Sequence, residues 1–309
     1  METLLQSVIE NIEKIIFGKR DAVLGILKGI LAEGHILIED IPGTGKTTLA
    51  KAIASSLDLS FQRIQFTPDL LPSDITGISI YNQKTMQFEF RKGPIFTNIL
   101  LADEINRTSP KTQSALLESM EERQITENGT SWAMPRPFIV IATQNPVEYE
   151  GTFNLPEAQL DRFLLCVTIG HPDFDTEVEI LKDKTERSSP LELSAVAQAE
   201  EIVELQKKRA SVIISEHIYN YIAMITSKTR THEYLSLGLS TRGALFLART
   251  AQAAALLDGR DFVSPDDIKK NAVSVLAHRL FLSPLGRSRG ASKTDIVLEI
   301  LDSIRIPGM

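Results

Sequence analysis

Apolar strand candidates that alternate with helical stretches over the first 170 residues predict an α/β fold, a parallel sheet flanked by helices, followed by a small all-α unit. Three observations carry this. Strand-like runs recur at 35–40, 63–67, 98–103, 138–143 and 164–169, the alternation expected of a parallel sheet. A Gly-rich turn joins the first run to a helix-forming stretch. Strand patterning stops near Gly170-His171-Pro172-Asp173. The expected organisation is therefore 1–170 for the α/β part and 175–309 for the helical part, in keeping with a 309-residue chain whose 43% hydrophobic content can bury a core.

The first run, Ile36-Leu37-Ile38, leads into Glu39-Asp40-Ile41-Pro42-Gly43-Thr44-Gly45-Lys46-Thr47-Thr48 and then Leu49-Ala50-Lys51-Ala52-Ile53-Ala54. Strand, Gly-rich turn and helix start form the context of a phosphate-binding loop. Gly43 and Gly45 let successive backbone N–H groups point at one anion. Lys46 supplies a mobile charge for the β and γ phosphates, and the Thr47 hydroxyl can join the shell of a Mg²⁺ ion. The pattern G-x-x-x-x-G-K-[ST] is broken at its first position, where Asp40 stands.

The third run, Asn98-Ile99-Leu100-Leu101-Ala102-Asp103-Glu104, is apolar without alternation, as in a strand buried on both faces. Two adjacent carboxylates at its end would repel each other and lose hydration, so a cation or a reacting water is expected beside them. Asp103 is placed to hold Mg²⁺ directly or through water, and Glu104 to orient and deprotonate a water attacking a γ phosphate.

Between these elements Ile78–Phe90 alternates around a polar centre, and Arg123–Pro135 contains Asn128-Gly129; both are expected β-hairpins. Each is either a connector or a protrusion that touches a partner. Phe138–Thr143 is another buried strand, and Asn145 beyond it is either an Asn-Pro turn residue or an amide able to bridge water and phosphate. Arg162 precedes the last strand at the sheet rim, where most arginines form surface ion pairs.

Beyond residue 170 everything reads as helix. Ile218, Tyr221, Ile222 and Ile225 share one face, and Ser264-Pro265-Asp266-Asp267 is a capped helix start. Ser240-Thr241-Arg242 opens a helix with a cation in its first turn, a conflict with the helix dipole that a nearby anion would remove.

A net charge of −7 weighs against nonspecific nucleic-acid binding. The single Cys166 excludes an internal disulfide framework and is expected in the core. The N-terminal residues have neither a basic start nor a long apolar region, and no run approaches the roughly 18 apolar residues of a membrane span. A cytoplasmic protein without membrane insertion is expected.

Taken together these residues resemble an AAA+ ATPase of the MoxR family, over essentially the whole chain. Leu37–Thr47 is similar to that family's P-loop, in which Asp at the first position is a familiar variant. Ala102–Arg107 followed by Gln113–Glu118 resembles its Walker B strand and next helix. Thr143–Pro146 matches sensor 1, Leu155–Phe163 the segment carrying an arginine finger, and Ser240–Arg242 sensor 2. Phe17-Gly18-Lys19 resembles the region bordering the adenine, and the hairpins correspond to inserts shared with magnesium chelatase and helicase relatives.

The resemblance implies ATP and Mg²⁺ bound by Gly18, Pro42, Gly43, Thr44, Gly45, Lys46, Thr47, Thr48 and Asp103, with Glu104 and Asn145 positioning water. It further implies a homo-oligomeric ring, usually hexameric, in which Arg162 of a neighbour reaches the γ phosphate. Arg242 would act within its own subunit or across the interface, and Arg107 is a second candidate for a contact in trans. Protein remodelling or maturation of client proteins is expected, with a partner carrying a von Willebrand factor A domain on another chain. A DNA-associated motor and a nucleotide-gated scaffold with little turnover are the alternatives.

Overall fold

The computed structural model describes residues 2–145, 152–186 and 193–305. Two helices, α1 (Glu2–Glu13) and α2 (Arg20–Leu31), precede β1 (His35–Glu39), α3 (Lys46–Ser56) and β2 (Phe61–Gln65). Next come α4 (Pro72–Thr76), the hairpin β3 (Gly77–Asn82) and β4 (Gln87–Lys92), and β5 (Ile99–Asp103). Helix α5 (Pro110–Glu122), the hairpin β6 (Gln124–Glu127) and β7 (Thr130–Ala133), β8 (Ile139–Gln144), α6 (Glu157–Leu160) and β9 (Phe163–Val167) complete the sheet region. Then follow α7 (Phe174–Glu186), α8 (Ala199–Ser211), α9 (Glu216–Thr231), β10 (Leu235–Leu237), α10 (Thr241–Leu257), α11 (Pro265–Leu276), β11 (Phe281–Leu282), α12 (Pro284–Ser288) and α13 (Lys293–Ser303).

All five predicted strands join one parallel sheet in the order β2-β5-β8-β1-β9. The second strand lies two residues earlier than its apolar pattern suggests, at 61–65 rather than 63–67. The unalternating runs are explained by burial on both faces. Ile36, Ile38, Ile99, Leu101, Ile139 and Ile141 point into one cluster with α1, α2, α3 and the C-terminal helices. Leu37, Leu100, Ala102, Val140 and Ala142 point into the other, against Leu116, Leu117 and Met120 of α5. Successive Cβ atoms of a strand face opposite sides, so each run must be apolar throughout.

Both hairpins form with the expected antiparallel register, and they lean on each other. Phe90 packs 5.3 Å from Trp132, and Asn128 donates to the Ser79 hydroxyl at 3.0 Å. The outer end of the first hairpin leaves Tyr81, Met86 and Phe88 exposed. The described C-terminal residues are mainly helical as expected, with two short exceptions: Ile213 and Phe262 form an isolated bridge, and a brief ladder is also present. Leu235–Leu237 and Phe281–Leu282 pair as a short antiparallel ladder, which two- and three-residue segments are too short to announce by alternation. The predicted caps are present: Ser264 Oγ accepts from Asp267 N while the Asp267 carboxylate accepts from Ser264 N at 2.7 Å.

His35 opens β1 and is buried. Its Nε2 donates to Met120 O at 3.0 Å and its Nδ1 accepts from Val140 N at 2.9 Å, so one neutral tautomer satisfies both ring nitrogens and protonation would set N–H against N–H. Burial lowers its pKa from 6.5 to about 4. His278, buried beside Arg279, is shifted in the same direction. The folded pKa lies below the unfolded one, so the His35 contribution is complete above pH 6.5 and is lost as pH falls toward 4, by about 3 kcal/mol. Urea unfolding at pH 7.5 and 4.5 should show this fall. In His35→Gln, which retains a donor and an acceptor, the fall should shrink by most of that amount; an undiminished fall would assign the effect elsewhere.

Candidate functional site

Three neighbouring strands, β5, β8 and β1, end on the same edge of the sheet because they are parallel and in register, Ala102 beside Ala142 and Ile38 beside Thr143. Strands lie about 4.8 Å apart, so Asp103, Asn145 and the loop after Glu39 are brought to one line. That loop is the predicted phosphate cradle. Gly43 and Gly45 have φ of +87° and +86°, a region L side chains enter at a cost. Empty space surrounds both, so backbone conformation rather than packing demands glycine here. Gly45 is the N-cap of α3 and no acidic side chain lies in the helix's first turn, so the positive end of the helix faces the loop opening. Pro42, Thr44, Thr47 and Thr48 all lie in this loop and first turn.

Lys46 Nζ donates to the Asp40 carbonyl at 2.6 Å. Partial burial lowers its pKa, opposed by the carboxylates of Asp40, Asp103 and Glu104. Asp40, the residue that breaks the loop pattern, is 5% exposed. Its Oδ1 accepts from Ile41 N at 2.8 Å, and its Oδ2 accepts from Ile169 N at 2.9 Å and Gly170 N at 2.7 Å. The carboxylate therefore fastens the start of the loop to the segment that leaves β9, a task glycine could not perform. The following segment reaches the third loop of the site: Lys19 Nζ donates to His171 O at 2.6 Å, and a Cβ on Gly18 would lie 2.8 Å from Thr176 Oγ1.

The carboxylate pair is engaged by cationic and polar side chains of the chain itself. Arg63 on β2 clasps Asp103 Oδ2 through Nη2 at 2.6 Å and Nε at 3.1 Å. Thr143 Oγ1 donates to Asp103 Oδ1 at 2.7 Å and accepts from Glu104 N at 2.9 Å. Glu104 Oε2 accepts from Gln65 Nε2 at 2.6 Å and meets Arg107 Nε at 3.2 Å. Glu104 has φ 58°, ψ 51°, a left-handed conformation that costs a non-glycine residue about 1–3 kcal/mol. Arg63 and Gln65 were not singled out in the sequence; their alternate positions on one strand face, two residues apart, were the available signal. Asn145 is buried directly after β8, and the residues that follow it, 146–151, lie outside the described residues. Cys166 is half-buried on β9 with its thiol pKa pushed up by burial.

Arg162 and Arg242 come together elsewhere. Arg162 immediately precedes β9, whose Phe163 pairs with His35 at the start of β1. Both guanidinium groups meet the carboxylate of Glu121 on α5, Arg162 at 3.2 Å. Glu121 is thus the anion that the first turn of α10 required, and it too was absent from the sequence reading. Ser240 caps α10 by accepting from Gly243 N and donates to Asp161 at 2.9 Å, while the buried Arg279 binds Asp161 at 3.0 Å.

The architecture has clear counterparts. A family model described as the ATPase family associated with various cellular activities (AAA) matches residues 35–165, and one described as the AAA lid domain matches 227–300. The chain is 37% identical to Chaperone MoxR1 of Mycobacterium tuberculosis, over 98% of this chain and 82% of that protein. The chain belongs to the MoxR family of AAA+ ATPases. It is also 50% identical to the uncharacterized protein YeaC of Bacillus subtilis, over 99% of this chain and 96% of that one. The crystal structure of a candidate ATPase from Cytophaga hutchinsonii superposes with a TM-score of 0.93 at 39% identity, covering 99% of this chain and 95% of that one.

Asp40 gives this site a test. Asp40→Gly restores the general loop pattern yet leaves the N–H groups of Ile169 and Gly170 without their acceptor, at about 1–3 kcal/mol. The variant should unfold at lower urea concentration and bind ATP no more tightly than the parent; tighter binding at unchanged stability would contradict the clamp.

Proposed function

We propose that this MoxR-family protein hydrolyses ATP at sites shared between neighbouring copies and uses the cycle to remodel client proteins. One observation carries the shared site. Lys46 and Glu104 stand at the C-terminal ends of the strands, whereas Arg162 and Arg242 meet on Glu121 beside the N-terminal end of β1. A five-residue strand spans about 16 Å, so these arginines cannot reach a phosphate held by their own loop. Arg162 and Arg242 can therefore meet a γ phosphate only in another copy, in a ring that the resemblance makes hexameric. Arg242 then acts in trans together with Arg162.

Within each copy the loop N–H groups and Lys46 would hold the phosphates, with Gly18 bordering the base. Asp103 and Thr47 offer the oxygen donors that Mg²⁺ prefers. Of the four lone-pair positions of the Asp103 carboxylate, Arg63 and Thr143 use three, which leaves one for the ion or for its water. When bound, Mg²⁺ supplies charge neutralisation of the phosphates. Glu104, held by Gln65 and Arg107, would accept the proton of the attacking water, and Asn145 would orient that water. This division assigns 1–170 to the nucleotide-binding core and 175–309 to the lid.

The remodelling role follows the relative named a chaperone, and the exposed Tyr81, Met86 and Phe88 at the hairpin end offer clients an apolar contact. A partner with a von Willebrand factor A domain and a cytoplasmic setting complete the reading; among the described residues no helix is long and apolar enough to cross a membrane.

Glu104→Gln should bind ATP as the parent does while turnover falls by about 10² or more; parental turnover would refute the role. Arg162→Ala should lose about 10³ or more in turnover. Mixing Arg162→Ala with Glu104→Gln subunits creates interfaces with an intact Glu104 facing an intact Arg162, and activity should partly return. No return in verified mixed assemblies would place Arg162 outside the site.

A further inference from the structure

Helix α7 is amphipathic and poorly covered. Phe174, Val178 and Leu181 fall on one helical face at i, i+4 and i+7, yet Phe174 is 80% and Leu181 60% exposed. A 13-residue helix is marginal in water without a packed face. Exposed charges flank the stripe, Glu177 on one side and Asp175, Glu179 and Lys182 on the other, so acids predominate. The helix starts at the loop end of the sheet, since Thr176 lies against Gly18 and Asp40 holds Ile169 and Gly170.

A groove of about 420 Å³ has the opposite character and lies at the opposite end, beside Gly34 and His35. Its charged side chains are Arg123, Arg162, Arg242 and Arg249 against Glu33 and Glu121. Arg242, Leu245 and Arg249 share one face of α10, with Leu245 56% exposed between the two cations. Arg249 is exposed and makes no ion pair among the described residues. No residue of α7 lines this groove within the chain.

We propose that the occupant of the groove is α7 of a second copy of this chain, its apolar stripe on Leu245 and its flanking carboxylates facing Arg249 and Arg123. The charges are complementary and the apolar elements match. Two different surfaces meet, so the contact is head-to-tail, and repeated with rotation it closes a ring. It rests on the reading that neighbouring copies share the nucleotide site, because it brings the loop end of one copy to the Arg162 edge of the next. Arg123 and Arg249 thereby serve docking while Arg162 and Arg242 remain for phosphate.

The test uses the full chain with ATP, with self-association followed by sedimentation velocity across a concentration series at low salt and binding of a fluorescent ATP analogue measured in parallel. Arg249→Glu should weaken association at least tenfold, as should the triple change Asp175→Lys, Glu177→Lys, Glu179→Lys, and Phe174→Ser with Leu181→Ser. Nucleotide binding by the dissociated chain should stay at the parental level. Arg249→Glu combined with the triple change sets the introduced lysines against a carboxylate at position 249 and should recover part of the association, the charge of Arg123 being unreversed. Parental association in the single-surface variants, or no recovery in the charge swap, would overturn the docking. If those variants assemble normally while Arg162→Ala still assembles without turnover, the docking fails and the shared site stands. A parent chain that stays monomeric at every concentration yet hydrolyses ATP would overturn both.

Discussion

Parallel pairing of β5, β8 and β1 is the constraint on which the rest of the molecule depends. Because the strands run in one direction, every residue that follows a strand lies on one edge and every residue that precedes a strand lies on the other. Asp103, Asn145 and the phosphate-type loop share the first edge; Arg162 and the His35 end of β1 share the second. Because both faces of these strands are apolar, a one-residue slip would expose no polar set to the core, and register is held instead by polar pairing at the strand ends, His35 between Met120 O and Val140 N and Asp103 between Arg63 and Thr143. Local chemistry and long-range geometry thus separate the acids and the loop from the arginines by the length of a strand.

The charges are then held in place by partners chosen for geometry. Asp103 is fixed by a two-point contact with Arg63 and by Thr143, an arrangement stronger than a single ion pair. Glu104 occupies a strained backbone conformation that the Thr143 contact to its N–H and the Gln65 contact to its carboxylate sustain. Glu121 gathers two guanidinium groups from separate elements, one before β9 and one in α10. At 30–41% exposure these pairs contribute little to stability. Their consequence is orientation: two cations are presented together at one surface.

Much of this was legible in the chain. The hairpins were visible because alternation and an Asn-Gly turn act within a dozen residues, and the caps at Ser240 and Ser264 because their hydrogen bonds close within three. The site was legible where one segment contains its own chemistry, as in the loop and in Asp103-Glu104. It was not legible where partners come from afar. Arg63 and Asp103 are forty residues apart, and Asp40 and Gly170 are separated by 130. The β10–β11 ladder escaped because segments of two or three residues carry no period.

By itself, then, the amino-acid order determined the backbone: which runs must be strands buried on both faces, where glycine admits a loop of inward N–H groups, and which serines begin helices. These outcomes depend on φ/ψ preferences and on hydrogen bonds between near neighbours, which any chain of this order carries with it. Only the tertiary structure decided that Asp40 is a clamp instead of a defect, that Arg63 pairs with Asp103 and Glu121 with Arg162 and Arg242, and that these last two arginines stand a strand's length from the loop. Such facts follow from strand order, and strand order is set by burying two apolar faces at once, a property of the whole sheet that no single segment contains.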